Sequence, residues 1–464
     1  MLTSIYHSDI FLSRFLLGDK SRSKDEGGKF MDKMADVLGR VGAWCGQNKY
    51  LSAIKNAFQN FMPLTIAGAV GVLWCNVLVN ADTGLGMFFK PIMILDFLNP
   101  AFQAINFCTI SCITVGITLG IAQEIGVWNM TAEKAGYIPG LIGLAAWLSV
   151  TNTSHVVKGA KEAFTGIASN ELGATGLFTG MIIGILSVEL FCFFEKQDAL
   201  KIKMPDQVPP GVARAFEVLI PATLTLIVTS CIGSACYHLT GLYLNDVIKN
   251  GIQGPLGSIG ATIPGVLVIY LLLGLFWLVG IHGANMLAAV KESLFTPLAL
   301  ENVEAFSKGQ TPKNVINMYF LQMCGEFSGA GATLGLVIAI LIFSKRDDNK
   351  AIASLSLVPG LFNINETVIF GIPLVLNPIL GIPFVITPLI NIVIGYILTI
   401  IGFCPVACLT VPWTTPPIIF GFLATGASIF GAITQAILIV VSIVIYTPFL
   451  ISYEKYQNKQ AANI

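Results

Sequence analysis

The sequence predicts an all-α polytopic membrane protein, with about ten crossings and two segments that dip in and turn back. Three observations carry that reading. Only 11% of the 464 residues are charged, against about 25% in soluble domains. The charges are clumped, and several charge-free stretches exceed the roughly 20 residues a helix needs to span a bilayer. Those stretches are continuously apolar, not alternating as in an outer-membrane barrel, and only helices satisfy every backbone amide within such a segment. Formal net charge is zero, which gives no footing for nucleic-acid binding.

Residues 1–30 are expected to be a disordered extension, centred on the linker GDKSRSKDEGGK. They carry basic residues without the apolar core and small-residue cleavage site of a signal peptide. The next stretch, MDKMADVLGRVGAWCGQNKYLSAIKNAF, reads as an amphipathic helix lying at the interface. Apolar runs then predict spans near 60–81, 103–123, 137–151 and 174–194. A basic loop holding Lys196, Lys201, Lys203 and Arg214 follows and is assigned to the cytoplasmic side with the basic N-terminal segment. Further spans are predicted near 214–236, 260–281, 326–343, 379–403 and 428–452. Residues 241–259, containing YLNDVIKNGIQGPLGSI, are too polar to span and are expected to form an amphipathic linker helix.

Orientation requires one more crossing. The SKRDDNK loop at 344–350 is basic enough to lie inside, but three spans separate it from the 195–214 loop. A broken or re-entrant segment within 282–327 restores parity. The C-terminal residues 454–464 are read as a cytoplasmic tail. These boundaries divide the chain into 31–240, the linker at 241–259, and 260–453.

Two stretches break the helical grammar. PGLFNINETVIFGIPLVLNP, residues 359–378, has proline or glycine at both ends and in its middle, so a helix–break–helix is expected. CPVACLTVPWTTPPIIF, around 404–420, carries four prolines. Interrupted hydrophobic segments point to a transporter binding site.

The candidate functional residues sit in and near those breaks. Glu366 is a carboxylate at membrane depth, costing at least ~2.5 kcal/mol there, which makes it a functional hypothesis by default. Asn363 and Asn365 beside it offer amide donors and acceptors suited to hydroxyl-rich ligands. His282 lies in GIHG, where flanking glycines let the backbone leave helical geometry; a lone histidine is more often a satisfied buried side chain. Trp413, between Pro412 and Thr414, offers an aromatic face to a sugar ring, or else anchors at the interface. Trp277 is five residues before His282, which is not the same helical face unless the helix ends between them. No metal site or cofactor is expected: the ten cysteines form no CxxC pair, and GxxxxGK[ST] and HExxH are absent.

These motifs resemble the membrane-embedded enzyme IIC subunit of the bacterial phosphoenolpyruvate-dependent sugar phosphotransferase system, in its lactose/cellobiose/chitobiose group. NAFQNFMPLTIAGA, KMPDQVPPGVARAFEVLIP, WLVGIHGAN, SGAGATLGL, PGLFNINETVIFGIPLVLNP and VPWTTPP occur in order from about Met31 onward. The resemblance implies a homodimer of about ten spans and two re-entrant hairpins. The N-terminal half makes the dimer contact, and the C-terminal half binds the sugar and moves as a body. It implies a β-linked disaccharide with its 6-hydroxyl near Glu366 and His282, and a site lined by Trp277 and Trp413. A phosphocysteine on a IIB partner, charged through IIA and HPr, phosphorylates that hydroxyl on the cytoplasmic side. The chain carries no IIB-like segment, so the donor is expected to be a separate protein. Thr367 stands where the family usually has proline. The rival readings are a proton-coupled sugar symporter using Glu366 as its proton site and a membrane-embedded enzyme without transport.

Overall fold

The computed structural model describes residues 36–40, 43–44, 47–81, 85–155, 164–205, 207–255, 260–377 and 379–462. The expected extension 1–30 lies outside them. The described chain is helical apart from one antiparallel pairing of Ser154–His155 with Phe164–Thr165. Among the described residues, six helices are long and apolar enough to cross a membrane, and Ile138–Val150, Ile263–Leu278 and Ala330–Phe343 are shorter apolar helices.

The first apolar helix of the described residues runs Lys49–Leu73, eleven residues ahead of the expected span. Asn48 caps it, its side-chain oxygen accepting from the Tyr50 and Leu51 amides. Residues 49–58, the last part of the stretch expected to lie at the interface, belong to this helix, while much of what precedes them lies outside the described residues. The polar residues of the helix are absorbed by neighbours. Lys49 pairs with Glu189 at 2.6 Å and donates to Asn129, and the Asn56 amide donates to Glu124 at 2.9 Å.

Helices Lys49–Leu73, Ile113–Asn129, Ile138–Val150, Ala174–Glu195 and Leu219–Thr240 pack on one another. Small residues bring them close, as membrane helices need when lipid removes the hydrophobic drive for association. A Cβ at Gly180 would lie 2.2 Å from the Thr118 hydroxyl. The span expected at 103–123 is instead a separate Asn99–Cys108 helix followed by Ile113–Asn129. The linker is helical over Leu244–Ile248, with a wider turn at Lys249–Gln253. It is pinned by its polar side chains: Thr179 donates to Asn245 at 2.6 Å, and Gln253 donates to the Ala174 carbonyl.

The second group holds Ile263–Leu278, Gly283–Ser307, Leu334–Phe343, Gly381–Ile400 and Ile429–Ala462. Two expectations are corrected here. Gly283–Ser307 is one continuous 25-residue helix, with Pro297 inside it, where a broken segment was expected. It stays intact because its polar residues find partners: Thr296 donates to Glu292 at 2.6 Å, and Asn302 donates to the Asn314 and Ala407 carbonyls. The break falls in the next segment. Instead of a straight span over 326–343, a half-helix Met318–Cys324 is followed by a kinked turn, and the helix resumes only at Leu334. Residues 454–462 of the stretch read as a cytoplasmic tail continue the single helix Ile429–Ala462. Glu454 in it is buried, and its carboxylate accepts from the Ser344 hydroxyl, the Lys345 amide and Asn349.

The first helix and Ala174–Glu195 both pack against Gly283–Ser307, which makes the seam between the two groups.

Candidate functional site at three converging chain breaks

The FNINE stretch is a helix–break–helix, as expected, but the break falls at Phe-Asn-Ile-Asn and not at a proline or glycine. The first arm is Asp347–Leu361 and the second Glu366–Gly371, with the turn at 362–365. Asn363 adopts φ 63° there, a left-handed conformation that asparagine tolerates better than most residues. Thr367 lies past the turn, in the first helical positions, where an amide needs no intrahelical acceptor whether or not proline supplies it.

The second break is the kinked turn before Leu334. Ser328, Gly329, Gly331 and Ala332 all have positive φ. Gly331 is required on two counts: its φ is 79°, and a Cβ would lie 2.3 Å from the Phe384 ring. The freed backbone groups are satisfied by side chains. The Thr333 hydroxyl donates to the Ser328 carbonyl at 3.1 Å, and the Tyr446 hydroxyl donates to the Gly331 carbonyl at 2.7 Å.

The third break spans the proline-rich stretch. Only its end is helical, at Ile419–Ala424, so it lacks an incoming helical arm. Gln435 secures it. Its side-chain oxygen accepts from the Ile418 and Gly421 amides, both at 2.7 Å, and its amide donates to the Met323 carbonyl.

Two asparagines tie these breaks together. The Asn363 side-chain oxygen accepts from the Ser328 amide, and its NH₂ donates to the Trp413 carbonyl and, at 3.4 Å, to Thr415. Asn365, 4% exposed, donates to the Ala330 carbonyl at 2.7 Å and to the Thr333 hydroxyl at 2.9 Å. These amide groups are thus engaged by the protein itself.

A cavity of about 480 Å³ opens at the junction, within the range of small-molecule sites. Glu366, His282, Trp277, Trp413, Asn363 and Asn365 all line it. His282 caps the 283–307 helix, its Nδ1 accepting from the Asn285 amide at 3.3 Å. In the neutral ring that acceptor role leaves the proton on Nε2, free to donate into the cavity. The helix ending at Leu278 does stop before His282, so the two rings meet, with centroids 4.5 Å apart and planes tilted 49°. Trp277 is 5% exposed and its indole N–H has no partner within the described residues, whereas Trp413 is 45% exposed.

Sequence reasoning passed over several lining residues. Lys291, Glu292 and Glu326 were visible as charges, yet the mixed composition of 282–327 hid that the first two lie on one continuous helix and the third in the turn after Cys324, all lining the cavity. The argument applied to Glu366 covers them equally. Gln59 and Met62 reach the cavity from the first helix, while the rest of its described lining lies at or beyond Leu273. Nothing in their local sequence signals it.

A family model described as "Phosphotransferase system, EIIC" matches residues 55–388. The oligo-beta-mannoside-specific EIIC component of a PTS system in Bacillus subtilis (strain 168) is 33% identical over 429 residues, covering 91% of this chain and 94% of that one. A cellobiose-specific EIIC component from Lactococcus lactis subsp. lactis (strain IL1403) is 30% identical, covering 92% and 98%. Among solved structures, the transporter ChbC, the IIC component from an N,N'-diacetylchitobiose-specific phosphotransferase system, matches with a TM-score of 0.83 and 30% identity. That match covers 92% of this chain and 98% of the other.

Proposed function

The chain belongs to the phosphotransferase system EIIC family, and from that premise we propose that it carries a β-linked disaccharide which a IIB phosphocysteine phosphorylates on its 6-hydroxyl. It is a membrane protein and the sugar permease component of such a system. The disaccharide class rests on the names of its relatives, which are specific for oligo-β-mannosides, cellobiose and diacetylchitobiose.

The observation that carries the residue roles is the placement of Glu366 and His282 in one cavity at the meeting of three chain breaks. Glu366 accepts the proton of the 6-hydroxyl as general base. The oxygen attacks phosphorus, the S–P bond breaks, and the partner's thiolate leaves. His282 donates from Nε2 to orient that hydroxyl. Trp413 supplies an exposed face for a pyranose ring. Asn363 and Asn365 position the three breaks. The protein works as a homodimer with both termini cytoplasmic, in the bacterial cytoplasmic membrane, and its IIB partner is supplied in turn by IIA and HPr.

The test is uptake into membrane vesicles. Labelled cellobiose, mannobiose or diacetylchitobiose is expected to accumulate as its phosphate only with phosphoenolpyruvate and the soluble phosphocarriers. Glu366→Gln is expected to bind sugar but lower phosphorylating uptake by about 10²–10⁴-fold, the usual worth of a general base. Normal uptake by that variant would refute its role. The proton-symport reading gains no support from the relatives; uptake abolished by a protonophore alone, without phosphocarriers, would revive it.

A further inference from the structure

A second cavity of about 480 Å³, the same volume as the central one, lies at the far end of the first helix from Lys49. Gly71 and Asn76 line it from that helix and the wider turn that ends it, and Ser307 from the last residue of the 283–307 helix. The central cavity touches the same two helices at Met62 and Glu292. The steps from Met62 to Gly71 and from Glu292 to Ser307 are about 13 Å and about 22 Å along a helix axis. Both cavities therefore lie on the seam between the two groups of helices, at different depths.

The remaining wall is the helix Asn99–Cys108. Asn99, Gln103 and Asn106 follow one another at helical spacing and share a face, and all three line the cavity together with Asp96. Close packing seats this helix. Trp74 stacks on Phe102 with ring centres 4.2 Å apart, and a Cβ at Gly71 would lie 2.5 Å from the Phe102 carbonyl oxygen. The hydrogen bonds of the wall are incomplete. Asn99 donates to Asp96 Oδ1, but the side-chain oxygens of Asn99 and Asn106 are buried and accept from no donor among the described residues. An acceptor left in that state costs about 1–3 kcal/mol, and two of them belong to one cavity. The terminal torsion of asparagine is broad, so each amide can turn its oxygen toward an occupant that brings donors.

The chemistry narrows that occupant. The described lining holds one carboxylate and no Lys, Arg or His, so a phosphorylated ligand meets only a like charge. A calcium ion takes about six to eight oxygens, and one carboxylate balances only half of its charge. Amide side chains and a serine hydroxyl each donate and accept, as the hydroxyls of a neutral sugar do. The central cavity differs in carrying Lys291 and His282.

We propose that this cavity is a receiving site, in which Asp96, Asn99, Gln103 and Asn106 hold an unphosphorylated saccharide before it passes along the seam to the central cavity. It rests on the functional reading above, which makes the cargo a sugar and puts the Lys49 end on the cytoplasmic side, so that this end faces outward.

The experiment is equilibrium dialysis of the full chain in detergent against labelled cellobiose, mannobiose and diacetylchitobiose, paired with uptake into vesicles supplied with the phosphocarriers. The parent is expected to hold two molecules of its preferred sugar per chain. Gln103→Leu and Asn106→Leu are each expected to weaken one of them about fivefold, the worth of one hydrogen bond of about 1 kcal/mol, and to leave the other within about twofold. Uptake by both variants should fall severalfold at limiting sugar and keep its saturating rate. Asn106→Leu should not lower the unfolding temperature, because it removes a buried acceptor that has no donor. If that variant does not fold, Gln103→Leu, at an exposed position, decides the matter.

One sugar per chain in the parent overturns the receiving site alone, as do two sugars held equally well by both variants. Calcium bound in place of the second sugar, and lost in Asp96→Asn, overturns the choice of a saccharide. A second sugar lost in the variants with uptake at limiting sugar unchanged overturns the receiving role. A parent that binds none of the three sugars overturns the functional reading and the receiving site with it.

Discussion

The Asn363 amide donates to the Trp413 carbonyl across 50 residues of chain, so the FNINE turn and the proline-rich loop behave as one unit. Asn363→Leu cuts that link without touching the flanking helices. Leaving buried polar groups unpaired costs about 1–3 kcal/mol, so sugar affinity is expected to fall tenfold or more. Calorimetry reads the affinity and circular dichroism the helix content, which should not change. Retained affinity would show that the loop holds its place without the asparagine.

His282 has two separable roles, helix cap and donor. Asparagine is as good a cap as any residue, whereas alanine costs about 0.5–2 kcal/mol at such a position. His282→Asn is therefore expected to unfold near the parent temperature yet to lose phosphorylating uptake. His282→Ala should lose both. Thermal unfolding and vesicle uptake, measured together, separate the two effects; an active asparagine variant would remove the donor role.

Gln59 is a cavity-lining amide contributed by the first helix. Gln59→Leu is expected to weaken disaccharide binding severalfold, in line with one neutral hydrogen bond of about 1 kcal/mol. Unchanged affinity would mean that the first helix closes the cavity without touching its occupant.

Gly331→Ala forces a side chain into φ 79° and against Phe384. Strained backbone of this kind costs of order 1–3 kcal/mol before any clash is counted. The expected result is a clearly lowered unfolding temperature, with Phe384→Ala in the same chain restoring only part of the loss.

Much of this architecture was legible before the coordinates. Long charge-free runs exposed the spans, and the proline and glycine of 359–378 marked that stretch as interrupted, although the turn itself falls at 362–365, past Pro359 and Gly360. The kink at 325–333 was hidden. SGAGATLGL reads as a small-residue helix, and its break depends on Asn365 and Tyr446, which arrive from distant parts of the chain. The 283–307 helix was missed for the opposite reason. Its charges argued against a continuous helix, but Lys291 is paired by Glu326 from another segment and Glu292 is hydrogen-bonded by Thr296 one turn along the same helix. The two asparagines were read as ligand groups from their chemistry; which partner takes each amide is decided by packing.

The 429–462 helix has 34 residues, about 51 Å at 1.5 Å per residue, against a hydrocarbon thickness of ~30 Å. A 20° tilt shortens its projection by only a few Å, so a sizeable overhang has to stand in water. Glu454 fastens the helix near that end to the turn at 344–349, immediately before the arm that leads to Glu366. The overhang is thus tied to the segment that leads to Glu366, and a spectroscopic probe at exposed Lys459 would report any movement of that segment without entering the cavity.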